Sequence, residues 1–176
     1  MVRQVRRYPK LEIRILLCPP WSAGYQLVYG EDDHVMDNYF SVLRSLQTAY
    51  GTHPNRCHVH LIEKPLFSDT YKFDKDIVTG PYLHAKSKDG GRITANDFFT
   101  YNVVHRSHLQ VLMEQEYATL WDESAEVLDW DAFRDACRAY SPTKAEEEKT
   151  HLLRSACRPI RDEAPLLPEI EAEYAQ

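Results

Sequence analysis

The sequence predicts an α/β protein: a mixed β-sheet flanked by helices, with a helical C-terminal extension. Three observations carry this expectation. LEIRILLC (11–18) and RCHVHLIE (56–63) are short runs with the two-residue period of strands. Between them HVMDNYFSVLRSLQTAY repeats apolar residues every three or four positions. The last third of the chain is largely helical in pattern. Strand, helix and strand in that order predict a βαβ unit with a parallel pair.

In the first strand Ile13, Ile15 and Leu17 share a face, and Pro19-Pro20 end it because proline cannot donate to a ladder. PPWSAGYQLVYGEDD reads as a loop, with Asp32 or Asp33 as the N-cap of the following helix. That helix places Val35, Met36, Tyr39, Phe40, Leu43 and Leu46 on one stripe and stops at Gly51. In the second strand Cys57, Val59 and Leu61 face one way, and His58, His60 and Ile62 the other. TYKFDKDIVTGPY reads as a hairpin turning at Asp74-Lys75-Asp76, with Gly80-Pro81 as punctuation. LHAKSKDGGR is a loop, and ITANDFFTYNVV is read as one further strand.

Downstream, HRSHLQVLMEQEYATLWDESAEVL puts Leu109, Leu112, Met113, Tyr117, Leu120 and Trp121 on one helical stripe, read as core packing. Trp130 to Tyr140 is a shorter helix. Ser141-Pro142-Thr143 marks a boundary, so residues 1–140 are expected to form the α/β domain. Residues 141–176 are expected to be a charged helix capped by Thr143 and an acidic, proline-containing tail, extended or partly disordered.

A chain of 176 residues fits one domain. Its 21 basic and 27 acidic residues leave a charge of −6, which argues against nucleic-acid or membrane-surface binding, since both need a cationic field. No apolar run reaches the roughly 18 residues of a membrane span, and no signal peptide is expected. Cys18, Cys57, Cys137 and Cys157 are widely spaced, which predicts free thiols and a cytoplasmic protein.

Histidines 58 and 60 lie at i and i+2 on one face of a strand, with His53 and His84 within reach. No standard zinc spacing accompanies them, so neither metal nor cofactor is expected. Ser22 in PPWSAG lacks a nucleophile elbow, and Gly90-Gly91 is not a phosphate loop. Ligands of parallel α/β sheets bind outside the carboxyl ends of the strands. Trp21 and Tyr25 are therefore candidate ligand-binding residues, together with His58 and His60.

Residues 11–128, and above all TYKFDKDIVTGPYLH and EYATLWDESAEVL, resemble the C-terminal modules of certain bacterial regulatory and defence-associated proteins. Those modules are themselves similar to half of a phospholipase D-like domain. Enzymes of that type use a His-x-Lys motif: the histidine attacks phosphorus, the lysine neutralises phosphate oxygens, and an acidic partner orients the imidazole. Here Asp74 and Gly80-Pro81 fall near the expected acid and glycine turn, but Phe67 and Asp69 occupy the positions of the histidine and lysine. A second alignment starts from His84-Ala85-Lys86, with Asp89 as the acid, two residues early.

The resemblance therefore implies a degenerate site. The expected function is a non-catalytic ligand-sensing or protein-interaction module of a bacterial regulatory or defence system, taking a small-molecule or protein ligand. The alternative is a small phosphodiesterase or nuclease using His84, Lys86 and Asp89. Enzymes of the resembled type need two half-sites, so a homodimer is expected.

Overall fold

The computed structural model describes residues 12–29, 35–51, 54–66, 68–73, 76–81, 100–161 and 163–174. β1 (Ile13–Leu17) and β2 (Cys57–Leu61) are parallel neighbours, in register from Ile13 opposite Cys57 to Leu17 opposite Leu61. α2 (Val35–Tyr50) crosses between them and ends one residue before Gly51, as the βαβ reading expects. The proposed caps Asp32 and Asp33 lie outside the described residues.

The segment after Pro20 is not all loop. Ser22 Oγ accepts from the Tyr25 amide at 3.0 Å and starts a short helix, α1 (Ala23–Tyr29). α1 runs against the chain leaving β2, and Gly24 makes the approach possible. A Cβ there would lie 2.2 Å from the Glu63 carbonyl oxygen and 2.7 Å from the Pro65 nitrogen.

The hairpin forms its own sheet. β3 (Ser68–Phe73) and β4 (Asp76–Pro81) pair antiparallel, and β5 (Tyr101–Val103) pairs with β4. Gly80 and Pro81 are the last residues of β4, opposite Asp69 and Ser68. Proline is tolerated at a strand end because the ladder has no further need of its N–H. Asp74 and Lys75 lie outside the described residues, as does all of ITANDFF (93–99).

α3 (His108–Asp122) begins at Ser107, whose Oγ accepts from the Gln110 amide at 3.2 Å. Its buried residues are Gln110, Glu114, Ala118 and Trp121. The apolar stripe read from the sequence is therefore rotated: Trp121 is buried as expected, but Leu109 and Leu112 are 50% and 48% exposed. The helix turns a polar patch inward because Glu114 Oε1 meets Lys72 Nζ at 3.0 Å and Glu114 Oε2 accepts from Tyr174 Oη at 2.6 Å.

β6 (Glu126–Leu128) follows α3 and pairs antiparallel with β2; β7 (Cys157–Pro159) pairs antiparallel with β6. The larger sheet is thus mixed, in the order β1–β2–β6–β7. α4 (Trp130–Ala139) is capped by Asp129, whose Oδ1 accepts from the amides of Asp131 and Ala132. α5 (Glu146–Ser155) starts at Ala145 rather than Thr143, without a side-chain cap. Glu146, Glu147 and Glu148 in its first turn complement the helix dipole instead. The tail, expected to be extended, supplies β7 and α6 (Leu167–Tyr174). α6 is anchored where the Leu166 and Leu167 amides donate to Asp122 at 2.6 and 2.9 Å.

The main core lies on one face of the larger sheet. Met36, Phe40, Leu43 and Leu46 of α2 pack with Cys57, Val59, Phe133 and Leu153. Each such buried side chain contributes roughly 1.5–3 kcal/mol. α3 and α6 serve the opposite face, around Ala118, Trp121 and Leu166. Among the described residues no helix is long and apolar enough to cross a membrane.

Candidate functional site

The second face of the larger sheet carries the chemistry. Cross-strand partners share a face, so His60, Val127 and Arg158 form one row across β2, β6 and β7. His58, two residues before His60, shares that face, as does its partner Arg14 on β1. Glu163, in the link between β7 and α6, sits over this row with its Oε2 3.1 Å from His60 Nε2.

His60 is 1% exposed. Its ring stacks on Trp121 with centroids 3.6 Å apart and planes 16° from parallel. Nδ1 lies 2.7 Å from Ser124 Oγ, and the Ser124 hydroxyl donates to the Trp121 carbonyl at 2.5 Å. A hydroxyl has one proton. With that proton on Trp121, Ser124 receives from His60, which fixes the Nδ1–H tautomer. Nε2, on the other side of the ring, faces Glu163 Oε2. Burial pushes the His60 pKa down, against the opposing pull of the Glu163 carboxylate.

Beside this pair opens a cleft of about 320 Å³. Val127 and Leu128 line it, with His58, Asn55, Asp129, Trp130, Asp131, Arg158, Glu163 and Cys57. It lies by the amino end of β2, not at the carboxyl ends where the sequence placed a ligand. Arg158 Nε is 3.3 Å from Asp129 Oδ2, and Arg134 lies 2.8 Å from Asp131. His58 Nε2 is 2.9 Å from the Asn55 carbonyl oxygen, and Trp130 Nε1 donates to the Cys57 carbonyl at 2.7 Å. The Cys57 thiol is pushed up to about 12 by burial, so it stays protonated and unreactive.

Of the residues singled out in the sequence, His58 lines the cleft and His60 stands behind Glu163. Trp21 and Tyr25 are not among the lining residues. Trp21 packs on the main core with the Arg154 guanidinium 5.8 Å from its ring centroid. Tyr25 is buried, edge-on to Tyr39 at 6.1 Å. His84, Lys86 and Asp89 lie outside the described residues, as do His53 and Phe67. Among the described residues no group of three His, Cys, Asp or Glu side chains is placed to hold a metal ion. Sequence reasoning missed Ser124, Arg158 and Glu163. Arg158 and Glu163 come from the tail; the register of β7 on β6 sets Arg158 in the row of His60 and Val127, and Glu163 in the following link meets His60.

No family model, no curated protein and no solved structure matches this chain. The phospholipase D-like resemblance stands on its residues alone.

Proposed function

We propose that this chain is a non-catalytic binding module that works by filling the cleft on the second face of its larger sheet. One observation carries this: the cleft has donors and acceptors in place, but no activated nucleophile among its described lining residues. Cys57 turns its thiol into the main core, where burial pushes its pKa up to about 12 and keeps it inert. Ser124, His60 and Glu163 have the residue types of a hydrolytic triad but the wrong proton arrangement. A general base must take the serine proton. Here Ser124 gives its proton to the Trp121 carbonyl and is buried away from the cleft lining. The regulatory or defence-associated setting and the homodimer are further parts of this proposal, and they rest on the sequence resemblance.

The test is an NMR titration of the full chain with a mixed set of small cations, anions and neutral polar compounds. Saturable shifts are expected at the amides of His58, Val127, Arg158 and Glu163. An assay on bis-p-nitrophenyl phosphate and single-stranded DNA is expected to show no turnover. Turnover that disappears in His84→Ala would overturn the non-catalytic assignment in favour of the phosphodiesterase. Shifts confined to other surfaces would overturn the cleft.

A further inference from the structure

The two edges of the larger sheet are built differently. β7, at one edge, has three residues and ends in Pro159, two features that discourage further pairing. β1, at the other, runs from Ile13 to Leu17 without proline, and among the described residues it has a neighbour on one side only. The Leu17 carbonyl accepts from the Ile62 amide on the β2 side at 2.9 Å. The N–H and C=O of one strand residue point the same way, and successive residues alternate. Ile13, Ile15 and Leu17 therefore bond to β2, and the backbone groups of Arg14 and Leu16 point out from the edge. α2 leaves an apolar flank beside that edge. Arg44, on its far flank, reaches the Cys137 carbonyl and the Tyr140 ring. Tyr39, on the near flank, donates to the Cys18 carbonyl just past β1. Val42 lies three residues after Tyr39 on that same flank and is 56% exposed.

We propose that β1 pairs antiparallel with β1 of a second copy across a two-fold axis, joining the two larger sheets into one. Such a contact is isologous, so the edge must complement itself. The outward groups fix the register, because Arg14 and Leu16 have to exchange the hydrogen bonds. An axis at Ile15 does this over the whole of β1. It sets Ile15 opposite itself, Ile13 opposite Leu17 and Arg14 opposite Leu16 of the second copy. An axis at Arg14 would put like charges face to face, which is destabilising. The apolar pairs lie on the main-core face and continue that core across the axis. Val42 of each α2 closes over them. This gives the homodimer expected from the sequence resemblance an interface argued from the sheet itself, and it uses no residue of the cleft lining. A five-residue ladder is small for an interface, so dissociation on the order of micromolar is expected.

Sedimentation velocity of the full chain over a range of about 1 to 200 µM tests this. The mass is expected to rise with concentration towards twice the 20.6 kDa of one chain. Hydrogen exchange at the amides of Arg14 and Leu16 is expected to slow over the same range. Leu16→Pro removes an outward N–H that the fold does not use, as edge strands tolerate. Val42→Asp brings two carboxylates to the axis from an exposed position. Each is expected to weaken the dimer about ten-fold or more. Leu109→Asp, at a similarly exposed site on α3, is expected to dimerise as the unaltered chain does. A dimer that survives both edge variants would overturn the edge and keep the homodimer. A monomer at every concentration would overturn both. A monomer whose Arg14 and Leu16 amides are protected throughout would show the edge covered by its own chain, and would overturn the second copy as its occupant.

Discussion

His60 is the residue on which the second face turns. It stacks on α3 through Trp121, donates to Ser124 and faces Glu163 from the tail. The charged and titratable groups around it are Glu163, His58, and Arg14 and Arg158 on the same sheet face. Burial dominates and lowers its pKa on folding. The unfolded chain therefore binds this proton more readily than the folded one. Stability must fall as pH drops below the ordinary histidine value of about 6.5, and the loss levels off below the folded pKa, where both states are protonated. Urea midpoints measured from pH 7.5 to pH 5 are expected to decline, with a shallower decline in His60→Phe, which keeps a ring against Trp121. A midpoint that rises on acidification, with the rise absent from the variant, would show that the Glu163 carboxylate outweighs burial. The i, i+2 placement of His58 and His60 was legible in the sequence, because strand alternation is local. Their partners were not, because Ser124 and Glu163 lie about 60 and 100 residues downstream.

At the scale of elements, α3 shows why a hydrophobic stripe can mislead. Its inward face carries Gln110 and Glu114, and what makes their burial tolerable comes from elsewhere. Gln110 Nε2 donates to Glu114 Oε1 at 3.0 Å, while Lys72 and Tyr174 arrive from β3 and α6. Burial alone would raise the Glu114 pKa. Hydrogen bonds from Tyr174, Gln110 and Lys72, with the Lys72 charge, outweigh it and hold the carboxyl below its ordinary value. Glu114→Ala should therefore cost about 1–3 kcal/mol, by leaving these donors without their acceptor. Leu112→Ala, on the exposed side, should stay within about 0.5 kcal/mol. Chemical denaturation of both variants checks the pair, and the reverse order of costs would restore the apolar stripe as the buried face. The βαβ unit was legible because its strands alternate over five residues and its helix over four turns. β6 and β7 have three residues each, too few for a period to show.

At the scale of the whole molecule, the C-terminal 36 residues bear on the same core as the rest. Leu153 and Ala156 are packed with Phe40 and Phe133. β7 extends the larger sheet, with the Asp129 amide donating to the Ala156 carbonyl at 2.9 Å and the Ile160 amide to the Ala125 carbonyl at 3.0 Å. Lys149, only 3% exposed, reaches across from α5 to Asp37 on α2 at 2.8 Å. These bonds with Asp37 and Glu146 hold its ammonium protonated against the opposing effect of burial. Composition made this segment look separable, because its charge and prolines are visible in the sequence and its tertiary partners are not. Removing it takes out a leucine worth about 2–5 kcal/mol by truncation alone. It also strips the sheet edge and leaves Asp37 without its buried cation. A domain holds only about 5–15 kcal/mol in total. A fragment of residues 1–140 is therefore expected to lose its cooperative urea transition and its near-ultraviolet circular dichroism, while the full chain keeps both. A cooperative transition in that fragment, at a midpoint near that of the full chain, would show that the sheet is complete without β7 and that α5 only decorates it.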